Sequence, residues 1–152
     1  MKKLAAWLPA LLWMGGIFAM SAMPGDVSGA QSGAITQLLC RALCRALGSE
    51  APPVRPETIH LLLRKGAHMA EYAVLYLLLH RALRLSGAGR PAACALLLCA
   101  TYAATDEWHQ RFVPGRGPSP ADVAIDTAGA ALAALTAGAL RRRRNQRISV
   151  DI

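Results

Sequence analysis

The chain has 152 residues, 54% of them hydrophobic and 17% charged, with a formal net charge of +8. That length fits one domain, and so little charge among long apolar runs argues against an ordinary water-soluble globule. The sign of the charge excludes less, because its distribution decides between a nucleic-acid footprint and a membrane topology signal.

Ten of the 17 cations gather in three places: Lys2 and Lys3, then Arg81, Arg84 and Arg90, then Arg141 to Arg144 with Arg147. Each group lies between or beyond apolar stretches, as the cytoplasmic loops of membrane proteins do. No nucleic-acid partner is expected. The lipid bilayer is.

In chain order, the first predicted span is Leu4 to Met23, long enough to cross a bilayer. A secretory signal peptide is the competing reading, with a cleavage site at Ala19-Met20-Ser21. The connection from Met23 to Arg55 is rich in Gly, Ser and Pro at both ends. Within it, Leu38, Leu39, Ala42, Leu43, Ala46 and Leu47 recur at helical spacing. This predicts a short amphipathic helix from Ile35 to Leu47, lying on the membrane or packed as a lid.

The second span opens at Pro56-Glu57, a proline suited to the first helical position and an acid suited to the first turn, and runs to about Leu83. The third starts at Pro91 and continues to about His109. A Pro/Gly-rich turn follows, Val113 to Pro118. The last helix opens at Ser119-Pro120-Ala121-Asp122 as a cap, an N1 proline and an N3 acid, and is expected to end before the arginine run. Residues 141–152 then form a basic cytoplasmic tail. The fold class is therefore all-α, an integral membrane bundle of about four transmembrane helices in a single domain. The spans lie near 4–23, 57–83, 91–109 and 120–140, with both termini cytoplasmic.

Against this apolar background the polar residues are informative. Arg64, Lys65, His68, Glu71 and Tyr72 fall within about 120° of arc on one helix. Leu62, Met69, Ala73 and Leu77 form the opposite face, expected to meet lipid. Thr101, Tyr102, Thr105, Asp106 and His109 share a face of the third helix. Asp122 and Asp126 lie one turn apart on the fourth, where Gly129 and Ala133 continue the stripe and allow close helix approach. Ionisable groups in a membrane cost about 2.5–3.5 kcal/mol each even on the mildest scales, and they face the bundle interior. The topology puts all three stripes near the external face.

Three blocks carry a resemblance: Arg64-Lys65-Gly66-Ala67-His68-Met69-Ala70-Glu71-Tyr72, then Asp106-Glu107-Trp108-His109-Gln110, then Pro114-Gly115-Arg116 with Asp122 to Gly129. In that order they resemble the VanZ-like family, over roughly Arg64 to Ala134. The resemblance implies a small multi-span protein of the bacterial cytoplasmic membrane and cell envelope. The founding member's association with resistance to the glycopeptide antibiotic teicoplanin makes antibiotic resistance an expectation to test. Fold-level kinship does not supply a reaction.

Four readings of the polar cluster stand side by side. In the first, Arg64, Lys65, His68, Gln110 and Arg116 bind an anionic envelope molecule, a lipid phosphate or a cell-wall precursor, with the glycines around Arg116 opening backbone amides to the anion. In the second, His68 or His109 serves as acid or base, oriented by Glu71, Asp106 or Asp126. Arg116, Asp122 and Asp126 have a spacing faintly like that of lipid phosphate phosphatases, but Asp122 stands where their nucleophilic histidine would be. In the third, His68 with Glu71 and Asp106 with His109 hold a metal; the neighbouring Arg64 and Lys65 would repel a cation, so no metal or other cofactor is expected. In the fourth the cluster is a structural ion network, with Arg64 or Lys65 neutralising Asp126.

Cys94 and Cys99 read as small apolar residues of a span. Cys40 and Cys44, one helical turn apart, are awkwardly placed for a disulfide. Trp7, Trp13 and Trp108 read as interface or packing aromatics, with Trp108 close enough in sequence to wall the site.

Overall fold

A computed structural model describes residues 2–150. Asp151 and Ile152, the end of the expected tail, lie outside the described residues, as does the side chain of Lys2. The described chain is six helices with no strand among them: α1 (Lys2–Ala5), α2 (Leu8–Ser21), α3 (Gly25–Leu47), α4 (Pro56–Ser86), α5 (Pro91–Gln110) and α6 (Pro120–Val150).

Prolines and glycines set the boundaries. Pro9 has no N–H to give to the preceding turn, so the chain passes from α1 to α2 through tight turns, with Trp7 N–H donating to the Leu4 carbonyl at 3.1 Å. Pro56, Pro91 and Pro120 each open a helix, where a missing N–H is harmless. Gly48 and Gly87 close α3 and α4 with φ of 62° and 84°, left-handed conformations that favour glycine.

Hydrogen bonds between helices fix their directions. The Trp7 indole donates to the Ser86 hydroxyl at 3.0 Å, and the Trp13 indole to the Glu71 carbonyl at 2.9 Å, so α2 runs antiparallel to α4. The Tyr102 hydroxyl donates to the Met14 carbonyl at 2.7 Å, and the Phe18 and His109 rings lie 4.5 Å apart, so α5 runs with α2. Lys65 pairs with Asp122 and His68 faces Asp126, so α6 runs with α4. The result is an up-down-up-down bundle with α3 laid against α4. Its start is pinned by Gly25 N–H donating to the Pro114 carbonyl at 2.9 Å.

The core combines small residues with a few large ones: Ala10, Ala95, Cys99, Ala103 and Ala130 are fully enclosed together with Tyr72, Tyr76 and Leu75, and Ile17 and Leu79 pack with them. Many other large apolar side chains face outward, among them Leu11 and Leu12 of α2, Leu62 and Leu77 of α4, Leu97 and Leu98 of α5, and Leu132 and Leu135 of α6. Small residues at the helix contacts and so many leucines on the outer surface match helices packed in lipid. By length and apolar content, two stretches qualify as candidate membrane spans, Lys3–Ser21 and Pro120–Arg147. The polar stripes of α4 and α5 lower their mean hydropathy.

Three expectations need correction. The amphipathic helix begins at Gly25, not Ile35, and takes in the Gly/Ser-rich segment, because Thr36 and Ser32 find partners on α3 itself and on α4. The last helix does not stop before Arg141 but continues as α6 to Val150. Arginine is a good helix former, and cations at a helix C-terminus complement its dipole. Finally, Leu62 and Leu77 are exposed as expected, but Met69 and Ala73 are half-buried, Met69 beneath α6.

Candidate functional site

The three polar stripes meet at one end of the bundle, beside the 111–119 turn. Their members have separate duties. On the α4–α6 seam, Lys65 forms an ion pair with Asp122, and one turn deeper His68 Nδ1 stands 3.6 Å from Asp126 Oδ1. A further turn on, Gly129 lies directly against the Met69 backbone, so close that any Cβ there would collide with the Met69 carbonyl. That contact brings the two helices near enough for short side chains to meet across the seam.

The sequence leaves open which cation meets which acid. The structure pairs Lys65 with Asp122, and Asp126, buried to 3% exposure, faces His68. Asp122 is also the N3 residue of α6, yet its carboxylate does not return to the Ser119 backbone. Glu107 of α5 takes that place and accepts the Ser119 N–H. The Ser119 hydroxyl accepts the Ala121 N–H at 3.2 Å. Glu107 is buried and absent from the residues singled out by sequence. The signal was its place beside Asp106, inside the second block of the resemblance.

Arg116 is anchored as well. Its Nε donates to the Met23 carbonyl at 3.1 Å and its Nη2 to the Met20 carbonyl at 3.0 Å, clamping the turn that follows α2 onto the end of that helix. Burial, followed by the nearby Arg64 charge, pulls this guanidinium below the usual arginine pKa, while Asp106, Glu107 and Glu71 oppose the shift. Gln110 is buried and donates to Asp106 Oδ2 at 3.2 Å, so it orients that carboxylate. The Ser21 hydroxyl lies beside the same carboxyl. His109 packs on Phe18. Thr101 and Thr105 are exposed, off the buried face that Asp106 occupies. Trp108 is 62% exposed and packs edge-on against Phe112; it does not wall the site.

A cavity of about 260 Å³ opens between α2, α3 and α4. Its apolar walls include Ile17 and Met20 of α2, Ile35 of α3, and Leu63 and Ala67 of α4. Its polar lining includes Arg64, His68, Glu71, Asp106 and Arg116, with Ser28, Gln31 and Ser32 contributed by α3. The α3 wall was not anticipated as part of the site. The Ser32 hydroxyl and His60 Nε2, hydrogen-bonded at 2.8 Å, fasten it to α4. Lys65, His109, Gln110 and Asp126 stand behind this lining. Among the described residues, Arg64 forms no salt bridge, and His68 Nδ1, Tyr72 OH and Asp126 Oδ1 have no hydrogen-bond partner in the protein.

Among the described residues, no group of three or more His, Cys, Asp or Glu is arranged to hold a metal ion. His68 and Asp126 form one pair, whereas His109 is turned against Phe18.

The chain matches the VanZ/LLP1 family model over residues 6–141. No curated protein and no solved structure matches the chain. The match takes in α2 and α3 together with the three polar blocks, and so the whole cavity: the chain belongs to the VanZ/LLP1 family.

Proposed function

We propose that the chain is a four-span protein of the bacterial cytoplasmic membrane whose outer-end cavity binds the anionic headgroup of an envelope molecule, a lipid phosphate or a cell-wall precursor. The observation that carries this reading is Arg64, a cation lining the cavity without an acid paired to it. A guanidinium without an ion-pair partner, in a half-buried recess, is suited to a phosphate or carboxylate, and Glu71 and Asp106 line the same recess. Arg116 adds a second positive group whose position is held by α2.

The outward leucines on α2, α4, α5 and α6 alike support four spans. The 31 residues of α4 reach about 46 Å and the 20 of α5 about 30 Å, enough to cross. The orientation follows from charge. Arg81, Arg84, Arg90 and the run from Arg141 gather at the end opposite the cavity, which makes that end cytoplasmic and the cavity external. An envelope ligand there would make altered glycopeptide sensitivity of the host the physiological consequence.

The test is lipid retention by the detergent-solubilised full chain in native mass spectrometry. Wild type retains phosphatidylglycerol over phosphatidylcholine, and Arg64→Gln loses that preference while its melting temperature is held. Equal retention of the two lipids by wild type overturns the reading.

A second reading has its own observation. The Lys65–Asp122 pair and the facing His68 and Asp126 can act as a register lock between α4 and α6 with no ligand at all. It predicts that single replacements of His68, Glu71, His109 and Asp126 all lower stability together. A ligand site predicts that some of them lose the host phenotype with stability kept.

A further inference from the structure

The polar cavity does not end at its apolar walls. Leu63 and Ala67, which line it on α4, also line a second recess of about 490 Å³ between α3 and α4. The remaining walls of that recess are Leu39, Ile59, Leu62 and Gly66, so it carries no charged side chain. Leu62 is 64% exposed and Leu39 38% exposed at its rim. A charged chamber thus adjoins, across the two shared residues Leu63 and Ala67, an apolar groove whose edge faces the surroundings of the bundle. A soluble anion has no use for such a groove. An amphiphile does, because one molecule must place a charged head and a hydrocarbon chain in adjoining and chemically opposite spaces.

We infer that the α3–α4 groove seats an acyl or prenyl chain of the ligand whose anionic head occupies the Arg64 cavity, so that the ligand is a lipid entering laterally from the bilayer. This rests on the headgroup reading above and commits the ligand to membrane-anchored phosphate chemistry. It also gives α3 a role: with Ser32 tied to His60, the helix forms the far wall of both compartments, contributing Ile35 to one and Leu39 to the other.

Gly66 makes the inference testable. A side chain at this groove-lining position meets nothing within 4 Å at its Cβ, and replacing a mid-helix glycine favours the helix. Gly66→Leu therefore fills the groove without disturbing the fold, which an unchanged or raised melting temperature verifies. Two probes are titrated against the full chain in detergent: dihexanoyl phosphatidic acid, which has head and chains, and glycerol 3-phosphate, which has the head alone. Wild type is expected to bind the lipid at least about tenfold more tightly than the head. Gly66→Leu is expected to lose that advantage while its affinity for glycerol 3-phosphate stays the same, and Arg64→Gln to weaken both. If wild type binds the lipid and Gly66→Leu binds it equally well, the chain seat is wrong and the headgroup reading survives. If wild type binds neither probe, the headgroup reading and the inference fall together.

Discussion

The Glu107 carboxylate accepts the backbone N–H of Ser119, so α5 supplies the cap that a helix-opening acid ordinarily supplies from its own first turn. Asp122, relieved of that duty, reaches across to Lys65. One substitution of roles thus links three helices. Glu107→Ala leaves a half-buried N–H unpaired and is expected to cost about 0.5–1.5 kcal/mol. Thermal unfolding in detergent measures it, and Glu107→Gln, which keeps an acceptor, should recover part of the loss.

The Lys65–Asp122 pair is partly open to its surroundings, with side chains 30% and 15% exposed. Its coupling energy should therefore be near the upper end for accessible pairs, about 1 kcal/mol. A double-mutant cycle with Lys65→Met and Asp122→Asn gives the value. Zero coupling would mean that the pair contributes nothing to the α4–α6 register.

Glycines in α6 separate packing from propensity. Gly129→Ala drives a methyl into the Met69 backbone and is expected to destabilise by about 1–3 kcal/mol. Gly138→Ala meets nothing within 4 Å and should stabilise, by about 0.5–1 kcal/mol. Opposite shifts in melting temperature for the same chemical change would confirm the close approach.

Arg116→Lys keeps the charge but cannot bond two separate carbonyls through a fixed fork. The end of α2 should loosen, seen as faster amide exchange in residues 20–25, with an accompanying fall in melting temperature. Unchanged exchange would remove Arg116 as the clamp on α2.

Much of this was legible in the sequence because it is local. Pro56, Pro91 and the Ser119-Pro120 cap mark helix starts through backbone chemistry alone, and the polar stripes follow from helical periodicity. Partner choice across helices was not legible. Asp122 and Asp126 share a face one turn apart, and only the axial offset of α4 against α6 decides which of them meets Lys65. Glu107 was missed for the same reason, since its partner lies on another element. The α3 boundary was missed because tertiary contacts, such as Gly25 with Pro114 and Ser32 with His60, order a Gly/Ser-rich stretch of low helix propensity.

The most direct test of the central claim is to map where an anionic lipid sits in the intact membrane. A phosphatidic acid carrying a photoreactive diazirine near its head is incorporated into cells making the full chain. After irradiation, the cross-linked residues are read by peptide mass spectrometry. The account predicts labels on Ile17, Met20, Ile35, Leu63 and Ala67, with their loss in Arg64→Gln. Labels confined to the outward leucines, such as Leu77, Leu132 and Leu135, and indifferent to Arg64, would contradict it.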